Sequence, residues 1–263
     1  MTRLRDSTSN RWVREFGLID LTRFVTLLSF IVLIAPQRAG ALECSTTEFA
    51  GKRFTVCRVD VSKDHLELFH RDETGQPFKR FDRLAAWLES RQRKLLFAMN
   101  AGMYHADLST VGLFVADGRQ ITPLNTASGE GNFFLKPNGV FALTASGARV
   151  MESPEYARSR ERVILATQSG PLLLRGGTVH PAFHADSTSR LVRNAVGVPS
   201  PDTVIFVVSD VPVTFYEFAT FFRDQLHCPD ALFLDGTVSS LYSSQLKRND
   251  FRMDLGPIIA VTQ

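Results

Sequence analysis

Residues 203–226 read TVIFVVSDVPVTFYEFATFFRDQL. Thr203 to Val208 is an unbroken run of β-branched and aromatic residues, the strongest strand signal in the chain. Ser209-Asp210 ends it, and the spacing predicts a helix over 214–226. Phe215, Phe218, Ala219, Phe222 and Leu226 fall on one face of that helix, and Thr214 with Glu217 has the spacing of a capping box. A buried strand, a polar turn and an amphipathic helix together describe a sheet with a helix laid on it.

On either side of this stretch, strands outnumber helices. Short runs at 53–61, 65–69, 95–99, 163–167, 171–174, 195–198, 230–234 and 258–261 read as strands. Asp117-Gly118 and Ser146-Gly147 each close a hairpin. A second helix is expected over 78–93, where Phe81, Leu84, Ala85 and Leu88 form one apolar stripe. The expected architecture is α+β: a single domain with a large mixed β-sheet and a few flanking helices. Hydrophobic residues at 44% and charged residues at 22% fit a folded globular chain and exclude a disordered or fibrous one.

The 263 residues carry 30 Lys and Arg against 27 Asp and Glu. Residues 1–41 hold six of the Arg and three of the acids, so the remainder has 24 of each sign. The basic excess therefore belongs to the N-terminus and gives no footprint for a nucleic-acid partner. Phe24 to Ala35 is a twelve-residue apolar run, preceded by basic residues and followed by Ala39-Gly40-Ala41. That pattern reads as a secretory signal over 1–41, cut after Ala41, with a domain over 42–263. It is shorter than the ~20 apolar residues of a membrane span. An uncleaved anchor would leave the same body outside the membrane. Any membrane contact then runs through this segment alone. The expected location is exported, periplasmic or secreted.

An oxidising compartment permits disulfides. Cys44 and Cys57 flank a short segment containing Gly51 and are the expected pair, leaving Cys228 as a thiol. No Cys/His spacing resembles a zinc site, and no metal or cofactor is expected.

Several apolar runs end in polar, Gly-containing motifs. These are Asn100-Ala101-Gly102-Met103-Tyr104, Gln168-Ser169-Gly170-Pro171, Arg193-Asn194-Ala195-Val196-Gly197 and Asp235-Gly236-Thr237-Val238-Ser239-Ser240. Amides, hydroxyls and carboxylates at strand ends suit a polyol or phosphate ligand. Asp235 has two readings: an acid/base group at the end of a buried strand, or a turn-capping carboxylate before Gly236. Asp210 is either its catalytic partner or a loop residue bonding nearby backbone. Arg193 can fork onto phosphate oxygens or form a surface ion pair. Lys136 and His180 are weaker phosphate candidates. Asn100, Gln168, Ser169, Ser239 and Ser240 bond either sugar hydroxyls or strand-end backbone. Gln168-Ser169-Gly170 lacks the flanking pattern of a serine-hydrolase elbow.

In this order, the four motifs resemble the phosphodiester glycosidase family, which includes the uncovering enzyme that removes N-acetylglucosamine from a phosphodiester on mannose-6-phosphate. The resemblance spans residues 95–261. The stretches 131–141 (GNFFLKPNGVF) and 228–236 (CPDALFLDG) look closer to an exported bacterial branch. Where uncovering-enzyme-like members have Asp-Gly-Gly-Gly-Ser, this chain has Asp235-Gly236-Thr237-Val238-Ser239, so that loop is shaped differently. The resemblance implies a carbohydrate or glycosyl-phosphate substrate. Together with the strand-end readings, it makes Asp235 with Asp210 the expected catalytic pair and gives expected substrate contacts from Asn100, Gly102, Lys136, Gln168, Ser169, His180, Arg193, Asn194, Gly236, Ser239 and Ser240. The expected function is exported hydrolysis of a glycosyl phosphodiester of the cell envelope. Its rivals are a non-catalytic glycan-binding protein on the same scaffold and a metal-dependent phosphodiesterase.

Overall fold

A computed structural model describes residues 42–236 and 238–263. The expected signal over 1–41 lies outside the described residues. The strands form three sheets instead of one. The seven-stranded sheet runs β1 (Glu43–Phe49), β2 (Lys52–Asp60), β13 (Thr203–Ser209), β12 (Asn194–Ser200), β14 (Asp230–Asp235), β10 (Leu172–Arg175) and β11 (Thr178–Val179). A five-stranded sheet runs β16 (Arg248–Asn249), β15 (Leu241–Ser243), β4 (Leu95–Asn100), β17 (Ile258–Thr262) and β3 (His65–Phe69). The third runs β6 (Arg119–Thr122), β5 (Phe114–Ala116), β9 (Val163–Ser169), β7 (Gly139–Thr144) and β8 (Gly147–Glu152).

Every strand pair is antiparallel, which corrects the expectation of a mixed sheet. Parallel neighbours need crossovers of about a dozen residues or more, usually helical. This chain instead closes tight hairpins or passes between sheets. Among the described residues the fold is predominantly β, with three short α-helices: α1 (Phe81–Glu89), α2 (Ser153–Arg158) and α3 (Phe215–Thr220).

The Thr203–Val208 run lacks alternation because both faces of its sheet are covered. Val204, Phe206 and Val208 enter a central core shared by all three sheets, with Phe97, Phe141 and Leu232. Ile205 and Val207 face the other way, into a layer with Phe54, Phe218, Phe222 and Phe233 under α3.

The helices are shorter than their apolar patterns. α1 begins at Phe81 because Lys79 is left-handed (φ 64°) and Arg80 is extended; it buries Phe81, Leu84 and Leu88. The capping box of Thr214 and Glu217 is present. Beyond Thr220 the helix widens into a π-turn over Phe221–Gln225, where the Leu226 amide bonds the Phe221 carbonyl at 3.2 Å. The wider turn lets Phe221 and Phe222 both face inward, and Phe221 stacks on Phe54 at 4.0 Å.

Cys44 and Cys57 stand directly opposite in the β1–β2 register and form the expected disulfide. Cys228 is free and buried, and burial pushes its thiol up to about 12. The disulfide closes a loop with a sequence separation of 13. Chain-entropy arguments give such a loop about 3 kcal/mol. The Cys44→Ser/Cys57→Ser double variant is expected to lose about that much in urea unfolding. An unchanged midpoint would show that the β1–β2 ladder holds without the bond.

Candidate active site

Four strand ends meet at one place. β4 ends at Asn100, β12 begins at Asn194, β14 ends at Asp235 and β9 ends at Ser169. Two buried amides tie these ends together. Asn194 donates through Nδ2 to the Asn100 carbonyl (3.0 Å) and to Asn100 Oδ1 (2.8 Å). Its Oδ1 accepts from the Asp235 amide at 2.8 Å. Asn100 Oδ1 also accepts from the Ser240 amide at 3.0 Å. The seven-stranded sheet is thereby joined to the sheet containing β4. Ser169 Oγ donates to the Leu234 carbonyl at 2.8 Å and joins the third sheet.

Asp235 leaves this junction through a register shift. Asn194 pairs with Asp235, but Ala195 pairs with Phe233, so Leu234 is an extra residue on β14. Such a bulge re-aims the side chain that follows it. The Asp235 carboxylate is half-buried and accepts the Gly236 amide at 2.6 Å. Burial outweighs that bond and raises its pKa from 3.8 to about 6. Tyr104 stands within electrostatic reach. Burial first, then the Asp235 and Asp254 charges, push its phenol to about 12. Its hydroxyl donates to the Asp254 carbonyl at 2.6 Å. Tyr104 belongs to the Asn100–Tyr104 motif but was not among the expected site residues. An aromatic ring carries no sequence mark that separates a site wall from core.

The other expected residues divide by what holds them. Gln168 is fully engaged: Oε1 accepts the Leu113 and Asn125 amides at 3.0 and 2.8 Å, and Nε2 donates to the Asn125 carbonyl and Ser153 Oγ at 2.7 and 3.0 Å. It moors the segment leading out of β6. Ser153 Oγ donates on to Asn138 Oδ1 (2.8 Å), which also receives Lys136 Nζ (3.1 Å). Lys136 therefore belongs to a cleft of about 390 Å³ with Thr126, Pro137, Glu152 and Pro154. His180 Nδ1 accepts the Ala182 amide at 3.1 Å, so Nε2 carries the proton given to the Lys136 carbonyl at 3.0 Å. Burial lowers its pKa and keeps the ring neutral. Ser239 Oγ donates to the Asp235 carbonyl at 3.1 Å, and Ser240 Oγ to the Val238 carbonyl at 2.8 Å.

Gly102 lies at φ 140°, where a Cβ would meet Thr167 Oγ1 at 3.0 Å. That hydroxyl donates to the Ala101 carbonyl at 2.6 Å, so the chain must pass close there. Asp210 is held by Thr55 Oγ1 (3.0 and 3.1 Å), Arg248 Nη1 (2.7 Å) and Arg53 Nε (3.6 Å). Its carboxylate is thus committed to fastening β2 and β13 to β16, and Asp235 is the acid that faces the junction. Arg193 is buried: Nε donates to the Val213 carbonyl at 3.0 Å and the guanidinium lies 3.7 Å over the Phe215 ring. The surface ion pair that was an alternative for it does not form among the described residues.

A family model described as phosphodiester glycosidase matches residues 93–256. The chain belongs to the phosphodiester glycosidase family. It is 32% identical over 226 residues to the uncharacterised protein YigE of Escherichia coli K12, covering 85% of this chain and 86% of that one. The catalytic domain of zebrafish N-acetylglucosamine-1-phosphodiester alpha-N-acetylglucosaminidase, auto-inhibited by its pro-peptide, superposes with a TM-score of 0.56 at 15% identity. That match covers 84% of this chain and 81% of the zebrafish domain. A Synechocystis protein superposes with a TM-score of 0.51 at 13% identity, over 84% of this chain and 61% of its own. At these identities the two structures establish a shared fold. The phosphodiester glycosidase match takes in Asn100, Gln168, Arg193 and Asp235, so the junction lies wholly within the family's domain.

Two outcomes follow from the junction. Asn194→Leu orphans the Asp235 amide and removes one donor from each Asn100 oxygen, and is expected to cost about 2–4 kcal/mol in urea unfolding; a change below ~1 kcal/mol would remove Asn194 from the centre of the design. Asp235 binds its proton more tightly folded than unfolded. Its contribution is therefore most favourable at low pH, is lost as pH rises from about 4 to about 6, and is level above. The penalty above that window is on the order of 3 kcal/mol. Asp235→Asn is expected to melt higher than the native protein at pH 7, with the difference vanishing near pH 4. A lower melting temperature at pH 7 would refute this.

Proposed function

We propose that this protein is an exported hydrolase that releases a sugar from a glycosyl phosphodiester of the cell envelope. The observation that carries the reading is Asp235: a lone, half-buried carboxylate at a β-bulge, with a pKa of about 6, on a phosphodiester glycosidase scaffold. At pH 7 it is mostly ionised, and its pKa suits a general base. Water adds to the anomeric carbon and gives a proton to Asp235. The bond from that carbon to the phosphate oxygen breaks, and its electron pair leaves on the phosphate. The departing monoester has a second pKa of roughly 6 and leaves without full protonation. One carboxylate is then enough where glycosidases generally need two.

Asn100, Asn194, Ser239 and Ser240 shape the loop that presents Asp235. Tyr104 stands within electrostatic reach of it. The Cys44–Cys57 disulfide supports an oxidising location, as does the apolar run near the N-terminus.

Turnover of a panel of sugar-1-phosphodiesters tests the reading. The native protein is expected to release free sugar and phosphate monoester, with kcat rising with pH through about 6. Asp235→Asn is expected to lose ~10²–10⁴-fold in kcat while remaining folded. Unchanged turnover in that variant would remove Asp235 from the chemistry. Glycan binding by a folded protein without turnover on any diester would favour the binding-protein alternative.

A further inference from the structure

Arg193 is the largest fully buried side chain among the described residues, at 1% exposure. Its guanidinium lies 3.7 Å over Phe215 and 5.6 Å from the Phe233 ring. Nε is satisfied by the Val213 carbonyl, and Nη2 reaches the Ser189 carbonyl at a long 3.3 Å. Nη1 has no partner among the described residues, and no carboxylate there answers the charge. An ion buried without a counter-charge costs several kcal/mol, and apolar replacements of similar volume are often as stable or more so. Its compensation among the described residues is two backbone carbonyls and the π faces of Phe215 and Phe233.

The cover over it is slight. Residues 188–191 are exposed, and three attachments hold them. These are the long Ser189 contact, an ion pair of Arg190 with Glu217 at the surface, and the backbone bridge of Leu191 to Val213. The same segment abuts the catalytic turn. A Cβ built on Gly236 would lie 3.7 Å from the Val192 carbonyl and 3.9 Å from Leu191. Releasing the Ser189 carbonyl would leave Nη1 and Nη2 side by side, the fork that matches two phosphate oxygens.

We propose that Arg193, beneath the strap of residues 188–191, is an induced phosphate subsite: the strap shifts and the guanidinium takes the anion. Assigning that anion as the substrate's phosphate rests on the glycosidase reading.

Inorganic phosphate is the probe, titrated into the protein against chloride at matched ionic strength, with melting temperature and calorimetry as readouts. The native protein is expected to bind phosphate saturably. Arg193→Met is expected to weaken binding at least tenfold. Arg190→Ala loosens the strap at the exposed surface, so it is expected to fold normally and bind phosphate several-fold more tightly. Absence of phosphate binding by the native protein, or equal binding by Arg193→Met, would overturn the proposal. So would weaker binding by Arg190→Ala, which would make Arg190 the ligand. Should Arg193→Met not fold, the Arg190→Ala arm decides alone. No arm requires turnover. Failure here leaves the Asp235 chemistry standing, and failure of Asp235→Asn to lose turnover leaves the phosphate result standing.

Discussion

The side-chain amide of Asn194 holds three chain segments together in the protein interior. It donates to both oxygens of Asn100 on one sheet and accepts the Asp235 amide on the neighbouring strand. Buried polar groups are costly when unpaired, so each of these bonds is strongly enforced. Asn100 Oδ1 carries the same network on to Ser240. Three antiparallel sheets have no continuous hydrogen-bond ladder between them. Apolar contact in the shared core brings them together without direction. The amide junction supplies the direction, and it does so where the chain must present a carboxylate.

That carboxylate is held against its own preference. Burial around Asp235 disfavours its charge, and the rest of the fold carries the cost. The polar residues near it divide accordingly. Gln168, Ser169, Asn194 and Ser239 direct their polar side-chain atoms to the protein's own backbone and to neighbouring polar side chains. Asp235 and Tyr104 present half-buried groups, and Arg193 keeps a nitrogen in reserve. Internally bonded side chains and side chains with free polar capacity thus stand side by side at a single junction.

Much of this was legible in the linear chain. The runs from 65–69 and 230–234 alternate or stay apolar strongly enough to mark β3 and β14, and the Thr214–Glu217 cap marks the start of α3. Cys44 and Cys57 paired as expected because a hairpin places them opposite each other. β1 itself went unseen, since its Ser, Thr and Glu content masks a strand that is mostly exposed on one edge. The 214–226 helix pattern concealed a π-turn, because inward Phe residues at 218, 221 and 222 satisfy either winding. Asp210 looked like a partner for Asp235, whereas Arg248 and Arg53, distant in sequence, claim it.

The sequence by itself determined which positions are apolar, where most strands and the two larger helices lie, and which motifs mark the phosphodiester glycosidase family. Those are local properties, set by side-chain chemistry and its periodicity. Only the tertiary structure decided that the strands divide among three sheets and that Arg193 is buried without a counter-ion. It also decided that Asn100, Asn194 and Asp235 share one network. Each of these depends on contacts between segments tens to more than a hundred residues apart. No local pattern encodes the distance between two strand ends, and that distance sets which polar groups share one network.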